Sequence, residues 1–161
     1  MPGGTIRGEM VELRPATEDD ADMLVAWHED EEVARYWDWE IFTRETMLAR
    51  LARAGVTPYV VEAGGAPIGY LQVHDLDGNG AGGLDMFLVP GARGRGLGSD
   101  AARATARHLL GERGWTRVTV DPYTWNEAAL RAWRTAGFVE VSEHEADDDH
   151  LQPWVLMEFR H

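Results

Sequence analysis

The fold is decided by the stretch Asp85-Met86-Phe87-Leu88-Val89-Pro90, which is followed by Arg93-Gly94-Arg95-Gly96-Leu97-Gly98-Ser99. Three glycines at alternate positions are unfavourable inside a packed strand or a helix, because each lacks a side chain to bury and raises the entropy cost of folding. A glycine-rich turn between a strand and a helix directs several N–H groups and the positive helix end at one point, where two arginines add charge. The expected ligand is a pyrophosphate.

Two common phosphate-binding motifs do not fit this loop. A Walker loop requires Gly-Lys-Ser/Thr, whereas Gly98 is followed directly by Ser99. A dinucleotide-binding fingerprint that began at Gly94 would need a third glycine at Ser99. The spacing Arg93-x-x-Gly96-x-Gly98 after an apolar strand resembles the acetyl-CoA signature of the GNAT acetyltransferase superfamily. The resemblance implies that acetyl-CoA is the cosubstrate and that residues 93–99 contact it.

Length and composition set limits on the class of protein. With 161 residues, 44% of them hydrophobic, the chain is expected to form a single domain over 1–161. We find neither an apolar run of about 20 residues nor a signal-peptide core, so a cytoplasmic location is expected. The absence of cysteine excludes disulfides, thiolate metal sites and an acyl-cysteine intermediate, which favours direct acyl transfer.

The net charge of −13 indicates the kind of partner. An acidic surface repels nucleic acid and anionic lipid and attracts cations, although it also serves solubility. We therefore expect a cationic small-molecule partner, no nucleic acid and no membrane; either a monomer or a homodimer fits these expectations. No metal is expected either. Asp75, Asp77 and Asn79 imitate a calcium loop, but Met86 stands where its twelfth residue must be Glu.

Hydrophobic periodicity predicts one continuous α/β pattern in the order βααβββαβαββ. The predicted strands are 10–14, Tyr59–Glu62, Ile68–Val73, Leu84–Val89, Arg117–Asp121, 138–143 and 154–159. The predicted helices run from Thr17 to about His28, from Thr43 to about Ala54, from Ala101 to Arg113 and from Asn126 to Gly137. This order is similar to that of the GNAT fold, an α/β (α+β) architecture with a mixed central sheet of about seven strands flanked by about four helices.

A narrower resemblance combines several motifs along the chain. The hairpin Tyr59–Val73, Gly83-Leu84-Asp85, Asp121-Pro122 before Asn126, and Ala136-Gly137-Phe138 together look like the aminoglycoside 6′-N-acetyltransferases. The resemblance implies transfer of acetyl to the 6′-amine of an aminoglycoside, as in antibiotic resistance. Two alternatives stay open: acylation of another amine (a polyamine, a peptide N-terminus or a lysine-derived siderophore), and a non-catalytic CoA-binding protein.

Site residues follow from the resemblance and from chemistry. Asp85 matches the family's candidate base, because a protonated amine must lose a proton before it attacks a thioester. The backbone of Leu88 and Val89 is expected to pair with the pantetheine arm, and Asn126 to cap its helix and contact that arm. Where the family often carries a tyrosine that protonates the thiolate, this chain has Trp133, which leaves Tyr123, a water or unassisted departure.

Recognition of the acceptor is expected from acids and aromatic rings, since carboxylates pair with ammonium groups and flat rings cover sugars. The candidates are Trp37, Asp38, Trp39, Asp85, Asp121 and Tyr123. The alternative for the tryptophans is a small hydrophobic cluster, and for Asp38 a solvated charge beside a helix.

Overall fold

The computed structural model describes residues 4–75 and 77–160, so the ends of the predicted domain 1–161 lie outside the described residues. Its centre is an eight-stranded sheet in the order β1-β2-β3-β4-β5-β6-β8-β7. The strands are β1 Ile6–Arg7, β2 Glu12–Pro15, β3 Val56–Ala63, β4 Ala66–His74, β5 Ala81–Leu88, β6 Arg117–Val120, β7 Phe138–His144 and β8 Trp154–Phe159. The α-helices are α1 Ala21–Glu29, α2 Glu31–Ala34, α3 Arg44–Leu51, α4 Leu97–Gly111 and α5 Glu127–Ala136.

Local sequence signals account for several boundaries. The Thr43 hydroxyl accepts from the N–H of Thr46 at the start of α3, and the Asn126 side chain accepts from the N–H of Ala129 at the start of α5. Gly137 ends α5 at φ +119°, a conformation that glycine adopts without Cβ strain. The hairpin between β3 and β4 turns at Gly64 and Gly65, as predicted.

Two hydrophobic cores lie on opposite faces of the sheet, because successive strand residues point to opposite faces. On one face, Leu71, Leu84 and Leu88 pack with α4 and α5. On the other face, Tyr70 and Phe87 pack with α1, α2 and α3. Asp85 shares this second face with Phe87, two residues away, and therefore lies beneath α1–α3.

The predicted α/β class is confirmed, with differences in the element count. The sheet gains the two-residue β1, which carries too few residues for an apolar pattern, and α2 is a single short turn after α1. The first predicted helix begins as a 3-10 turn, because the Asp20 carboxylate accepts from the N–H of Thr17. The third predicted helix starts earlier, at Leu97, since Gly96 already serves as its N-cap.

The pairing of β5 with β6 creates an opening in the sheet. These strands are parallel and pair only from Ala81 to Gly83 on β5, opposite 117–119 on β6. Beyond Gly83, β5 continues beside β4 as far as Leu88, while β6 pairs with β8. The second half of β5 therefore has one edge turned towards a cleft.

Candidate active site

The cleft is a cavity of about 760 Å³ lined by β5, the end of β6, the first turn of α4, α5, residues 36–38 and Glu40. Most of the predicted site residues line it: Trp37, Asp38, Asp85, Leu88, Arg93, Gly94, Gly96, Leu97, Gly98, Ser99, Asp121, Tyr123, Asn126 and Trp133. Three predicted residues, Val89, Arg95 and Trp39, are not among the lining residues. Trp39 is 59% exposed and lies next to Asp38, where both residues have positive φ.

The N-terminus of α4 forms an anion cradle. Gly94 and Gly96 adopt φ +79° and +77°, and no side chain caps the helix at Gly96. The acid of the first turn, Asp100, is turned away: its carboxylate accepts from the backbone N–H groups of residues 9–11 at 2.7–3.1 Å. The first N–H groups of α4 and its positive dipole end are therefore available to a phosphate. This arrangement fits the diphosphate of a CoA thioester.

The side chains of the two loop arginines, Arg93 and Arg95, donate hydrogen bonds to backbone carbonyls. Arg93 donates from Nε to the Leu88 carbonyl at 3.1 Å and from Nη2 to the Glu32 carbonyl at 2.7 Å, so it braces the loop against β5 and α2. Arg95 donates to the Gly91 carbonyl at 3.1 Å within the loop. Arg131 on α5 also lines the cavity and brings a further positive charge there.

The open edge of β5 exposes alternate backbone groups. The Val89 N–H donates to the Ile68 carbonyl of β4 at 2.9 Å and is thereby engaged within the sheet. Because neighbouring residues of a strand direct their N–H groups to opposite edges, the Leu88 N–H points into the cleft. Leu88 rather than Val89 is thus placed to donate a hydrogen bond to a ligand there.

Asp85 lies on β5 opposite Gln72 of β4, with 33% of its side chain exposed. Gln72 Nε2 donates to Asp85 Oδ2 at 3.0 Å, and His74 Nε2 lies 3.4 Å from the same oxygen. Burial raises the pKa of Asp85, and the negative charge of Asp121 adds to the rise, against the opposing effects of His74, Gln72 and Arg50. A raised pKa makes this carboxylate a stronger base than an exposed aspartate.

A partly buried arginine supports this group from behind. Arg50 of α3 donates from Nε to Gln72 Oε1 at 3.3 Å, and the Tyr70 hydroxyl donates to the same oxygen at 2.9 Å. These two donors fix the amide so that its NH₂ faces Asp85. The guanidinium carbon of Arg50 lies 4.4–4.8 Å from the ring centroids of Trp37, Phe42 and Tyr70.

The opposite wall carries two polar pairs. The Tyr123 hydroxyl donates to Asp38 Oδ1 at 2.6 Å, and burial together with this bond raises the pKa of Tyr123 to about 12. Asp121 Oδ2 lies 2.6 Å from Nε2 of His150. The imidazole of His150 stacks on Trp154 with ring centroids 4.0 Å apart. Asp38 and Asp121, two of the three acids predicted for acceptor binding, therefore line the cavity with a protein partner already in place.

Two further predicted residues make structural contacts. The Ser99 hydroxyl donates to the Ala132 carbonyl of α5 at 2.9 Å. Trp133 is 7% exposed and packs edge-to-face on Phe138. An indole has no acidic proton for a thiolate at neutral pH, so Trp133 offers packing and at most a hydrogen bond.

A family model described as an acetyltransferase (GNAT) domain matches residues 11–139. The chain belongs to the GNAT acetyltransferase family. Aminoglycoside N(6′)-acetyltransferases type 1 of Klebsiella pneumoniae and of Serratia marcescens are each 31% identical to it over 154 residues, covering 83% of this chain and 76% of the relative. A structure of AAC(6′)-Ib with ribostamycin and coenzyme A superimposes with a TM-score of 0.83 at 28% identity, covering 95% of this chain and 94% of the other. A further structure, AAC(6′)-Ib with paromomycin and acetyl-CoA, gives a TM-score of 0.82 at 29% identity, with the same coverage.

This GNAT chain also uses residues that sequence reasoning missed. Gln72, His74 and Arg50 surround the Asp85 carboxylate, and His150 faces Asp121. Of these residues, Gln72 could have been found from the pairing of β4 with β5. It lies thirteen positions before Asp85, across the turn between the two strands, and is the residue that pairs with it. Arg50 and His150 approach from distant segments, so no local pattern indicated them.

Residues 4–75 and 77–160 carry neither a cluster of metal-ligating side chains nor a membrane-spanning helix. No group of three or more His, Cys, Asp or Glu side chains in this part of the chain could hold a metal ion. Within the same ranges, no helix has both the length and the apolar character needed to span a bilayer.

Proposed function

We propose that this protein transfers the acetyl group of acetyl-CoA directly to the 6′-amine of an aminoglycoside. One observation carries the proposal: a single cavity joins an uncapped helix N-terminus, suited to a diphosphate, with a carboxylate whose pKa is raised. The curated relatives and the solved structures named above, which hold aminoglycosides and CoA or acetyl-CoA, support the choice of acceptor.

Bound acetyl-CoA supplies the acetyl thioester, and this chain supplies the proton transfer. An amine on a sugar is mostly an ammonium ion at neutral pH and has no lone pair until its proton leaves. Asp85 accepts that proton, directly or through a water, so that the nitrogen forms the new N–C bond while the C–S bond breaks. With the Tyr123 hydroxyl donating to Asp38 and Trp133 unable to give a proton, water is the proton source for the thiolate in our proposal.

The remaining cavity acids serve the rest of the acceptor. Asp38, Glu40 and Asp121 line the same cavity as the N-terminus of α4. A polycationic acceptor therefore finds negative charge at these acids, and the diphosphate finds the positive end of the helix. The aromatic ring of Trp37 lines the same part of the cavity and offers a flat apolar face to a sugar ring. This division orients the two substrates towards each other.

A matched pair of acceptors tests the proposal. Thiol release from acetyl-CoA is measured with aminoglycosides that differ only in an amine or a hydroxyl at the 6′ position. We expect release with the amine and none with the hydroxyl. Equal rates with both would refute the 6′ assignment, a signal confined to polyamines or peptides would replace the acceptor class, and binding of CoA without turnover would refute an enzyme. Aminoglycoside resistance, a cytoplasmic location, the single domain and the monomer or homodimer state stay predictions.

A further inference from the structure

The imidazole of His74 lies behind the candidate base and outside the cavity. It is on β4, diagonally across from Asp85, with Nε2 3.4 Å from Asp85 Oδ2 and 32% of its side chain exposed. His74 is not among the lining residues of the cavity, whereas Asp85 is. The carboxylate therefore stands between the acceptor side and this imidazole.

The two side chains of β4 that approach the carboxylate converge on one of its oxygens. Gln72 Nε2 donates to Oδ2, and His74 Nε2 approaches the same atom. Among residues 4–75 and 77–160, we find no donor to Oδ1. Holding Oδ2 from two sides fixes the plane of the carboxylate and leaves Oδ1 for a group in the cavity.

The backbone of β5 is shaped to admit this imidazole. Gly83 lies opposite His74 in the β4–β5 register, and a Cβ built at Gly83 would come within 2.5 Å of His74 Cε1 and 2.8 Å of Nε2. Real Cβ atoms do not approach so closely, so any side chain at Gly83 displaces the ring. The glycine thus gives the imidazole its place beside Asp85, independently of the contact between the two side chains.

The geometry points to His74 as a positioning residue for the base: with Gln72 it directs Oδ1 of Asp85 at the acceptor, and protonation of the imidazole stops Asp85 from taking the acceptor's proton. This inference rests on the proposed function. An uncharged imidazole leaves Asp85 a strong base. A protonated one adds a positive charge 3.4 Å from Oδ2, which weakens the base and repels the ammonium.

Charges from other elements act on the same pair. Arg50 of α3 faces Asp85 from one side and favours its ionised form, while Asp121 after β6 opposes ionisation. The Tyr70 hydroxyl is engaged with Gln72. The active state requires ionised Asp85 and neutral His74 together, so the first proton that binds the pair stops the reaction, whichever group holds it.

The first test is the pH profile of kcat/KM for His74→Gln, since glutamine keeps an N–H donor and cannot titrate. We expect the acidic limb to move to lower pH, with the plateau changed less than threefold. Arg50→Met is a control that should move the acidic limb in the opposite direction, to higher pH. The Arg50 cation favours the ionised form of Asp85, so its loss raises the pKa of Asp85. A purely structural role would lower the plateau and leave the limb in place, and that result would overturn the inference.

Gly83→Ala checks the geometry without touching an ionisable group. Its Cβ would also lie 3.1 Å from the Thr119 carbonyl, so the variant is compared in two backgrounds to separate any cost to the fold. In the wild type it should shift the limb as His74→Gln does, and in the His74→Gln background it should shift nothing further. Equal shifts in both backgrounds would contradict the proposed contact.

A substrate-free measurement separates this inference from the proposed function. The ¹⁵N resonances of the His74 imidazole are compared at one fixed pH in the free protein, wild type and Asp85→Asn. Loss of the carboxylate 3.4 Å from Nε2 should change the Nε2 resonance, and an unchanged resonance would disprove the pairing. A wild type that acetylates no aminoglycoside would refute the proposed function while this NMR comparison still decides the pairing.

Discussion

Replacing Asp85 by asparagine should remove the base while preserving the shape of the site. The amide can still accept a hydrogen bond from Gln72, and Asp85 lies outside the glycine loop and the first turn of α4. The affinity for acetyl-CoA should therefore change less than twofold in calorimetry. The fold should also survive, because the substitution removes a charge from a partly buried position without changing volume.

The size of the loss of turnover depends on whether another carboxylate in the cavity can replace Asp85 as the base. Asp121 is held by His150 and Asp38 by Tyr123, so neither carboxylate is free to replace the base. General base catalysis contributes about 10²–10⁴ in rate, and we expect kcat to fall about 10²–10³-fold at pH 7. This corresponds to about 3–4 kcal/mol of transition-state stabilisation.

The assay is thiol release with saturating acetyl-CoA over a range of pH. Without Asp85, only the fraction of acceptor that is already a neutral amine reacts, so the residual rate should rise about tenfold per pH unit below the pKa of the amine. Gln152→Asn, at an exposed position, serves as the expression control. Turnover of Asp85→Asn within threefold of wild type at pH 7 would remove Asp85 from the mechanism.

Three further predictions concern other groups of the site and the fold. Asp100→Ala removes the acceptor for three backbone N–H groups and should cost about 2–4 kcal/mol, a drop of about 5–15 °C in Tm by calorimetry, whereas the exposed Asp22→Asn should cost almost nothing. Tyr123→Phe should lower kcat less than tenfold, because that hydroxyl is donated to Asp38 and its pKa is near 12; a hundredfold loss would make it the proton source for the thiolate. For His150, burial opposes the charged form but hydrogen bonds to two carboxylates raise the pKa, so its stabilisation is present below about pH 6.5 and lost as pH rises through the folded-state pKa. The Tm deficit of His150→Gln should therefore be larger at about pH 5.5 than at about pH 9, and a deficit independent of pH would contradict this.

The sequence predicted those parts of the molecule that depend on neighbouring residues. Gly137 and Asn126 mark helix ends by their own conformations and hydrogen bonds, and the order of strands and helices followed from periodicity. The chemistry around Asp85 could be predicted only in part. Its place on the strand before the glycine loop was readable, whereas Arg50 reaches it through the packing of α3 on the sheet.

Tertiary contacts add to what the local sequence indicated for two cavity residues. Ser99 lines the cavity, and its hydroxyl donates to the Ala132 carbonyl where α4 and α5 approach closely, so its contact with the cosubstrate stays a prediction. Arg93 also lines the cavity and donates to the Leu88 carbonyl, so its role at a diphosphate stays a prediction as well. In both cases a tertiary contact competes for a side chain whose local sequence suggested a ligand.

The short pairing between β5 and β6 has a mechanical consequence. Among the described residues, the strands β1–β5 pair with the strands β6–β8 only from Ala81 to Gly83, next to a backbone hydrogen bond from the Thr116 N–H to the Gly80 carbonyl. Beyond Gly83 the two halves of the sheet separate. A ligand bound in that gap contacts both halves of the sheet and stabilises their association. Ligand binding should therefore slow deuterium uptake in the strands on both sides of the gap, and it should make the whole chain more resistant to proteolysis.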